Sequence, residues 1–210
     1  MTENSKLGKF IVFEGPDGCG KTTQLKLIYQ YIREQLAQEV IMTKEPGGTE
    51  ISQKIREILL DPANDDLEDL AELLLYSASR AQHVKQLIKP NLAEGIHVLC
   101  DRFVDSTIAY QGYGRGLDID LIKQLNVMST EGLEPDFSFY IMVTPEVAKK
   151  RIAAKREFDR LEKNEVDFFQ KLYEGYQQLL QADDSKYFVD GEQPVDRVHE
   201  NIKTLIKKKI

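Results

Sequence analysis

Little in this chain of 210 residues speaks for covalent or metal scaffolding. It has only two cysteines, Cys19 and Cys100, with neither the pairing of a disulfide framework nor metal-ligand spacing, so free thiols in a reducing cytosol are expected. The three histidines, His83, His97 and His199, are scattered, and no ligand spacing links them. No apolar run approaches the ~20 residues of a membrane span, and the segment from Met1 to Lys9 is polar, without the apolar centre of a signal peptide. A cytoplasmic protein with no membrane partner is therefore expected. A basic excess is missing as well, since 28 Lys and Arg face 35 Asp and Glu for a net charge of -7. Nucleic-acid binding draws its affinity from clustered cations, so no nucleic acid is expected as partner. There is no repeat, low-complexity stretch or break in composition, which leaves one α/β domain spanning residues 1–210.

What is present is a phosphate-cradling loop. Gly15-Pro16-Asp17-Gly18-Cys19-Gly20-Lys21-Thr22 has the spacing Gly-x-x-x-x-Gly-Lys-Thr. Before it, Phe10-Ile11-Val12-Phe13 reads as a buried strand, and after it Thr22 to Gln38 reads as a helix. Glycines let the backbone turn so that successive N–H groups, with the helix N-terminus, face phosphate oxygens. Lys21 supplies a mobile charge for the outer phosphates, and the Thr22 hydroxyl is placed to ligate Mg²⁺. The expected nucleotide-binding set is Gly15, Pro16, Asp17, Gly18, Cys19, Gly20, Lys21, Thr22 and Thr23.

Val40-Ile41-Met42 reads as a second strand that ends in Thr43-Lys44-Glu45-Pro46-Gly47-Gly48-Thr49. That turn is either a close backbone approach to a ligand or a plain connection. Ile51 to Leu60 reads as a helix, and another starts at Asp65-Asp66 and runs to about Lys89, before Pro90. On it Leu70, Leu73, Leu74, Ala81, Val84 and Ile88 form an apolar stripe, while Tyr76, Arg80 and His83 share a neighbouring face. Tyr76 and Arg80 could stack a base and grip a phosphate, or form a surface cation–π pair. A third strand, Ile96 to Cys100, leads to Asp101, the second acidic element of a phosphate site near the metal. Ser106, Thr107 and Tyr110 then share a helical face before Gly112, Gly114 and Gly116 loosen the chain.

Asp101-Arg102-Phe103-x-x-Ser106-Thr107-x-Ala109-Tyr110-Gln111 closely resembles the signature of thymidylate kinases. Phe13-Glu14-Gly15, Glu45-Pro46-Gly47-Gly48-Thr49, and Tyr76 with Ser79-Arg80-Ala81-Gln82 resemble other motifs of that family in the same order, so the likeness spans essentially the whole chain. It implies a P-loop NTPase fold, with Mg²⁺·ATP as phosphoryl donor and dTMP as acceptor. Tyr76 would stack on the thymine, Arg80 and Arg102 would hold the monophosphate, and Asp17 and Tyr110 would lie at the sugar, with Glu45, Pro46, Ser106, Thr107 and Gln111 completing the acceptor pocket. A homodimer through helices near Tyr76 is also implied.

Phe137 to Val143 reads as a fourth strand, and Thr144-Pro145-Glu146 as the capped start of a basic helix. From about residue 145 to 162 the chain resembles the family's lid, which brings Arg151, Lys155, Arg156 and Arg160 toward the reaction. Gly18 stands where one subgroup carries an arginine, so the catalytic cation should come from the lid, and Arg160 with help from Lys155 is expected to supply it. Lys21, Arg102, Arg160 and Asp17 are the expected catalytic residues, and Thr22 with Asp101 the metal set. Phe168 or Phe169, Leu172, Tyr176 and Leu179 form an architectural stripe, Tyr187-Phe188-Val189 a fifth strand, and Val195 to Lys209 a final helix. Asp190-Gly191-Glu192 borders either an adenine or nothing more than a strand-to-helix turn. Five parallel strands with helices on both faces follow from the alternation. Two alternatives stand beside this reading: a kinase for another nucleoside monophosphate or a deoxynucleoside, and a non-catalytic nucleotide-binding switch, although the guanine-reading Asn-Lys-x-Asp is absent.

Overall fold

The computed structural model describes residues 7–154 and 168–210. Five parallel strands form one sheet in the order β2-β3-β1-β4-β5: β1 (Phe10–Glu14), β2 (Val40–Lys44), β3 (His97–Asp101), β4 (Phe137–Met142) and β5 (Lys186–Asp190). Central β1 and β4 are buried along their whole length, as strands covered on both faces must be, and this is why they read as unbroken apolar runs. Edge strand β2 alternates instead, with Met42 turned outward.

Alternate β1 side chains build two cores. Ile11 and Phe13 face one layer with Ile28, Ile32, Phe139, Tyr176 and Ile202, while Phe10 and Val12 face another with Val84, Ile88, Val98 and Phe103. Helices α1 (Lys21–Gln35), α2 (Glu50–Leu60), α3 (Asp69–His83), α4 (Lys89–Ala93), α5 (Val104–Thr107), α6 (Ile119–Thr130), α7 (Pro145–Ala153), α8 (Phe168–Gln181) and α9 (Val195–Lys209) surround the sheet.

Several expectations need correction. The helix predicted from Asp65 to Lys89 starts at Asp69 and does not stop before Pro90: a π-helical turn, Val84–Ile88, joins α3 to α4. The wider turn relieves the clash and the missing donor that proline imposes on an ordinary helix. The apolar stripe of that helix is also not its buried face, for Leu70 is 50% and Leu74 49% exposed, and Ala81 is exposed too. Leu73, Val84 and Ile88 are buried, but in company with Glu72, Arg80 and His83. Gly112 and Gly114 do not loosen the chain, since they lie in a second π-helical stretch, Ile108–Gly114, packed on Ile122 and Phe168. Thr144 stands at the N-cap of α7, yet its hydroxyl and amide both turn to Glu192 at 2.8 and 2.7 Å.

Opposite the carboxyl ends of the strands, a crevice of about 310 Å³ opens between Leu7, Lys9, Gln38, His97 and Ile210.

Candidate active site

Parallel strands present their carboxyl ends along one edge, and in open α/β sheets that edge is where ligands bind. Register puts Asp101 of β3 level with Phe13 of β1 and Lys44 of β2, so the ends of all three strands meet. A cleft of about 350 Å³ opens there, lined by Lys21, Thr22, Lys44, Arg56, Asp101 and Arg102, with Asp17, Gly18, Gly20, Thr23 and Glu45.

The phosphate-cradling loop forms one wall of it. Gly15 has φ 137°, and an added Cβ would lie 2.2 Å from the Ile141 carbonyl, so no other residue allows this close approach to β4. Gly20 caps α1 at φ 104° without a side-chain hydrogen bond, which leaves the first turn open to an anion. The Lys21 ammonium is buried and donates to the Gly15 and Pro16 carbonyls, each at 2.9 Å, and lies 3.7 Å from Cys19 Sγ. Thr22 Oγ1 donates to Asp101 Oδ2 at 2.7 Å, which joins the two expected metal residues across the cleft. A hydroxyl and a carboxylate are the hard oxygen donors that Mg²⁺ takes while keeping water and phosphate in its other positions. Among the described residues no group of three or more His, Cys, Asp or Glu gathers around a single point.

Arg102 lines the same cleft beside the loop. One guanidinium nitrogen donates to Gly15 O, Ser106 Oγ and Tyr176 OH at 3.1, 3.1 and 3.0 Å; the other donates to Asp17 Oδ1 at 2.7 Å and Tyr110 OH at 2.9 Å. Loss of hydration alone would raise the Asp17 carboxyl, but the charges of Arg102 and Lys21 and the bonds from Arg102 and Tyr110 outweigh it and hold the group far below the usual carboxylate range. Asp17 is thus an anion that orients Arg102. Burial opposes the charge on Arg102, and Asp17 more than restores it. Tyr110 OH also reaches Asp17 Oδ2 at 3.1 Å, and its ring lies under the guanidinium at 4.8 Å.

A second buried cluster gathers around Glu45 and Arg80. Arg80 is 2% exposed, so it is neither a surface cation–π partner nor a free phosphate grip. Its donors go to Glu45 at 2.7 Å, Asn126 at 2.6 Å, Thr107 at 2.7 Å and the Phe103 carbonyl at 3.2 Å, and its guanidinium lies over the Phe103 ring. Arg80 therefore braces β2, α3, α5 and α6 together. Glu45, joined to Pro46 by a cis peptide, also meets His83 Nδ1 at 3.0 Å, while His83 Nε2 meets Thr43. Burial raises the Glu45 carboxyl, and Arg80 and His83 more than reverse that. Gly48 has φ 85° with the His83 ring 2.4 Å from where a Cβ would stand, which explains the second glycine of the Pro-Gly-Gly turn. Gln111 is buried with its amide donating to Glu72 at 2.7 Å, and Tyr76 is half-buried.

Of the expected lid residues, Arg151 is placed: it donates to the carbonyls of Gly18 at 3.3 Å and Gly191 at 3.0 Å, tying α7 to the loop and to the turn after β5. Lys155, Arg156 and Arg160 lie outside the described residues. Sequence reasoning passed over Arg56 and Asn126, read Tyr176 as architecture alone, and gave Glu14 no role beyond its motif. Arg56 of α2 donates to the Pro46 carbonyl at 2.9 Å; burial lowers its pKa, and Tyr76, Asp101 and Asp17 pull against that. Its signal was a lone arginine on the helix that follows the Pro-Gly-Gly turn. Burial and the neighbouring Asp105 raise the carboxyl of Glu14, against bonds from Ser106 and the pull of Arg102.

Residues 13–202 match the family model described as thymidylate kinase. A thymidylate kinase of Trichodesmium erythraeum is 43% identical over 97% of both chains, and one of a Thermoanaerobacter species is 48% identical over 96% of this chain and 98% of its own. The crystal structure of thymidylate kinase from Ehrlichia chaffeensis superposes with a TM-score of 0.76 at 33% identity, over 95% of this chain and 98% of the other. Matched in this way over nearly its whole length, the chain belongs to the thymidylate kinase family.

Proposed function

We propose that the loop at Gly15–Thr22 holds Mg²⁺·ATP and that dTMP lies beyond Arg102, between α5 and α3, with in-line transfer giving dTDP and ADP. One observation carries this: Lys21, the Thr22–Asp101 pair and the Asp17–Arg102 pair line a single cleft at the carboxyl edge of the sheet. Thr22 and Asp101 would hold Mg²⁺, which when bound spreads the negative charge of the phosphates. Lys21 leaves its loop carbonyls for the outer phosphate oxygens. Arg102, with Arg56 and Lys44 across the cleft, faces the acceptor phosphate, and Arg80 sets the wall against which Thr107, Gln111 and Tyr76 meet the base. The acceptor is already a phosphate monoester, so positioning and charge suffice and no strong base is needed. Arg160, helped by Lys155, remains the proposed lid cation. The chain would act as one domain, in the cytoplasm, as a homodimer through the exposed apolar side chains of α3 and its neighbours α2 and α6.

A coupled assay with Mg²⁺·ATP and dTMP, dUMP, CMP or thymidine as acceptor tests the assignment. Preference for dTMP is expected. Preferred phosphorylation of thymidine would overturn the placing of Arg102 and Arg56 as acceptor-phosphate cations.

A further inference from the structure

Glu14, the last residue of β1, is 1% exposed and stands directly ahead of the phosphate loop. A carboxylate in such a place is costly unless its lone pairs are used. Four donors converge on it. Oε1 accepts from the Phe103 and Ser106 amides at 2.9 and 3.3 Å, and Oε2 from Ser106 Oγ at 2.5 Å and Tyr176 OH at 3.3 Å. Both amides belong to the start of α5, which has no side-chain cap of its own, so Glu14 satisfies from β1 the donors that an N-cap would satisfy from within.

The turn held in this way is strained. Arg102, just before Phe103, has φ 73°, a left-handed conformation that a residue with a Cβ adopts only at a cost. Its amide is pinned to the Phe13 carbonyl at 2.9 Å. A guanidinium only donates, so Ser106 Oγ and Tyr176 OH must accept from Arg102 and send their own protons onward. Ser106 lies closest to Glu14, and Tyr176 reaches Ser106 at 2.9 Å and Glu14 at 3.3 Å. Every donor in this chain therefore points one way, from the arginine through two hydroxyls to the carboxylate.

We propose that Glu14 is a positioning residue of the acceptor site: it holds the strained Arg102 turn and fixes the guanidinium plane through Ser106 and Tyr176, without touching either nucleotide. The proposal rests on Arg102 being the acceptor-phosphate cation. Simple packing support would lose stability and both substrates together, whereas positioning acts on one substrate.

Glu14→Gln in the full chain separates these. Its amide oxygen can still accept from both α5 amides, but its nitrogen cannot accept the Ser106 proton. In the coupled assay the KM for dTMP should rise about tenfold with a severalfold fall in kcat, while the KM for ATP stays within about twofold and the melting temperature within a few degrees. Tyr176→Phe removes one relay hydroxyl and should raise the KM for dTMP about threefold, a result that stands even if the first variant fails to fold. A double variant should be no worse than Glu14→Gln alone, because both act on one path. The proposal is overturned if the KM for dTMP stays within about twofold of wild type in the folded variants, or if the KM for ATP rises in parallel. Should wild type prefer another acceptor, that result counts against the dTMP reading, and the variants are judged on that acceptor's KM by the same criteria.

Discussion

Glu45 shows how much one side chain decides here. It is 5% exposed and receives Arg80 at 2.7 Å and His83 at 3.0 Å, so neutralising it leaves a buried guanidinium without its counter-charge. Glu45→Gln should destabilise the fold by about 3 kcal/mol near neutral pH. Its folded pKa lies below the ordinary value, because Arg80 and His83 outweigh burial. Its stabilising contribution is therefore complete above the unfolded carboxyl pKa of about 4.3 and fades as the pH drops through the folded value. Urea midpoints of wild type and variant should differ most above about pH 5 and converge in acid; a gap that widened in acid would contradict the assignment of the ion pair.

Among the elements, α7 is tied to the phosphate loop by the Arg151 side chain as well as by packing on Gly18. Arg151 bridges the Gly18 and Gly191 carbonyls, and Gly18 in turn sits within 3.0 Å of the α7 backbone measured from where its Cβ would be. Arg151→Ala should raise the KM for ATP about tenfold, given roughly 1.5 kcal/mol for a charged hydrogen bond to a carbonyl, and leave the KM for dTMP nearly unchanged. Equal shifts for both nucleotides would refute the attachment. This element also marks where the sequence was and was not legible. Strands β1 and β4 could be read because burial on both faces leaves an unbroken apolar run, and the loop because its spacing is local. The placement of Arg80 could not be read, since its partners Glu45, Phe103, Thr107 and Asn126 come from separate segments that only the fold brings together. Pro90 misled for a related reason: proline normally ends a helix, and nothing local announces the π-helical turn that carries the chain past it.

At the scale of the whole molecule, apolar side chains stand exposed on three neighbouring helices: Ile51 and Ile58 on α2, Leu70 and Leu74 on α3, Val127 and Met128 on α6. In the proposed homodimer, exposed apolar groups of this kind would supply the contact. Leu74→Glu should turn a dimer into a monomer in sedimentation at micromolar concentration, with the monomer's fold retained by circular dichroism. An unchanged sedimentation coefficient would place the dimer contact elsewhere.

Leu7 and Ile210 line the same crevice, at the rim of the sheet opposite the carboxyl ends of its strands. A tether or label attached at Leu7 or at Ile210 would thus pull on that rim and leave the cleft at the opposite edge facing solution.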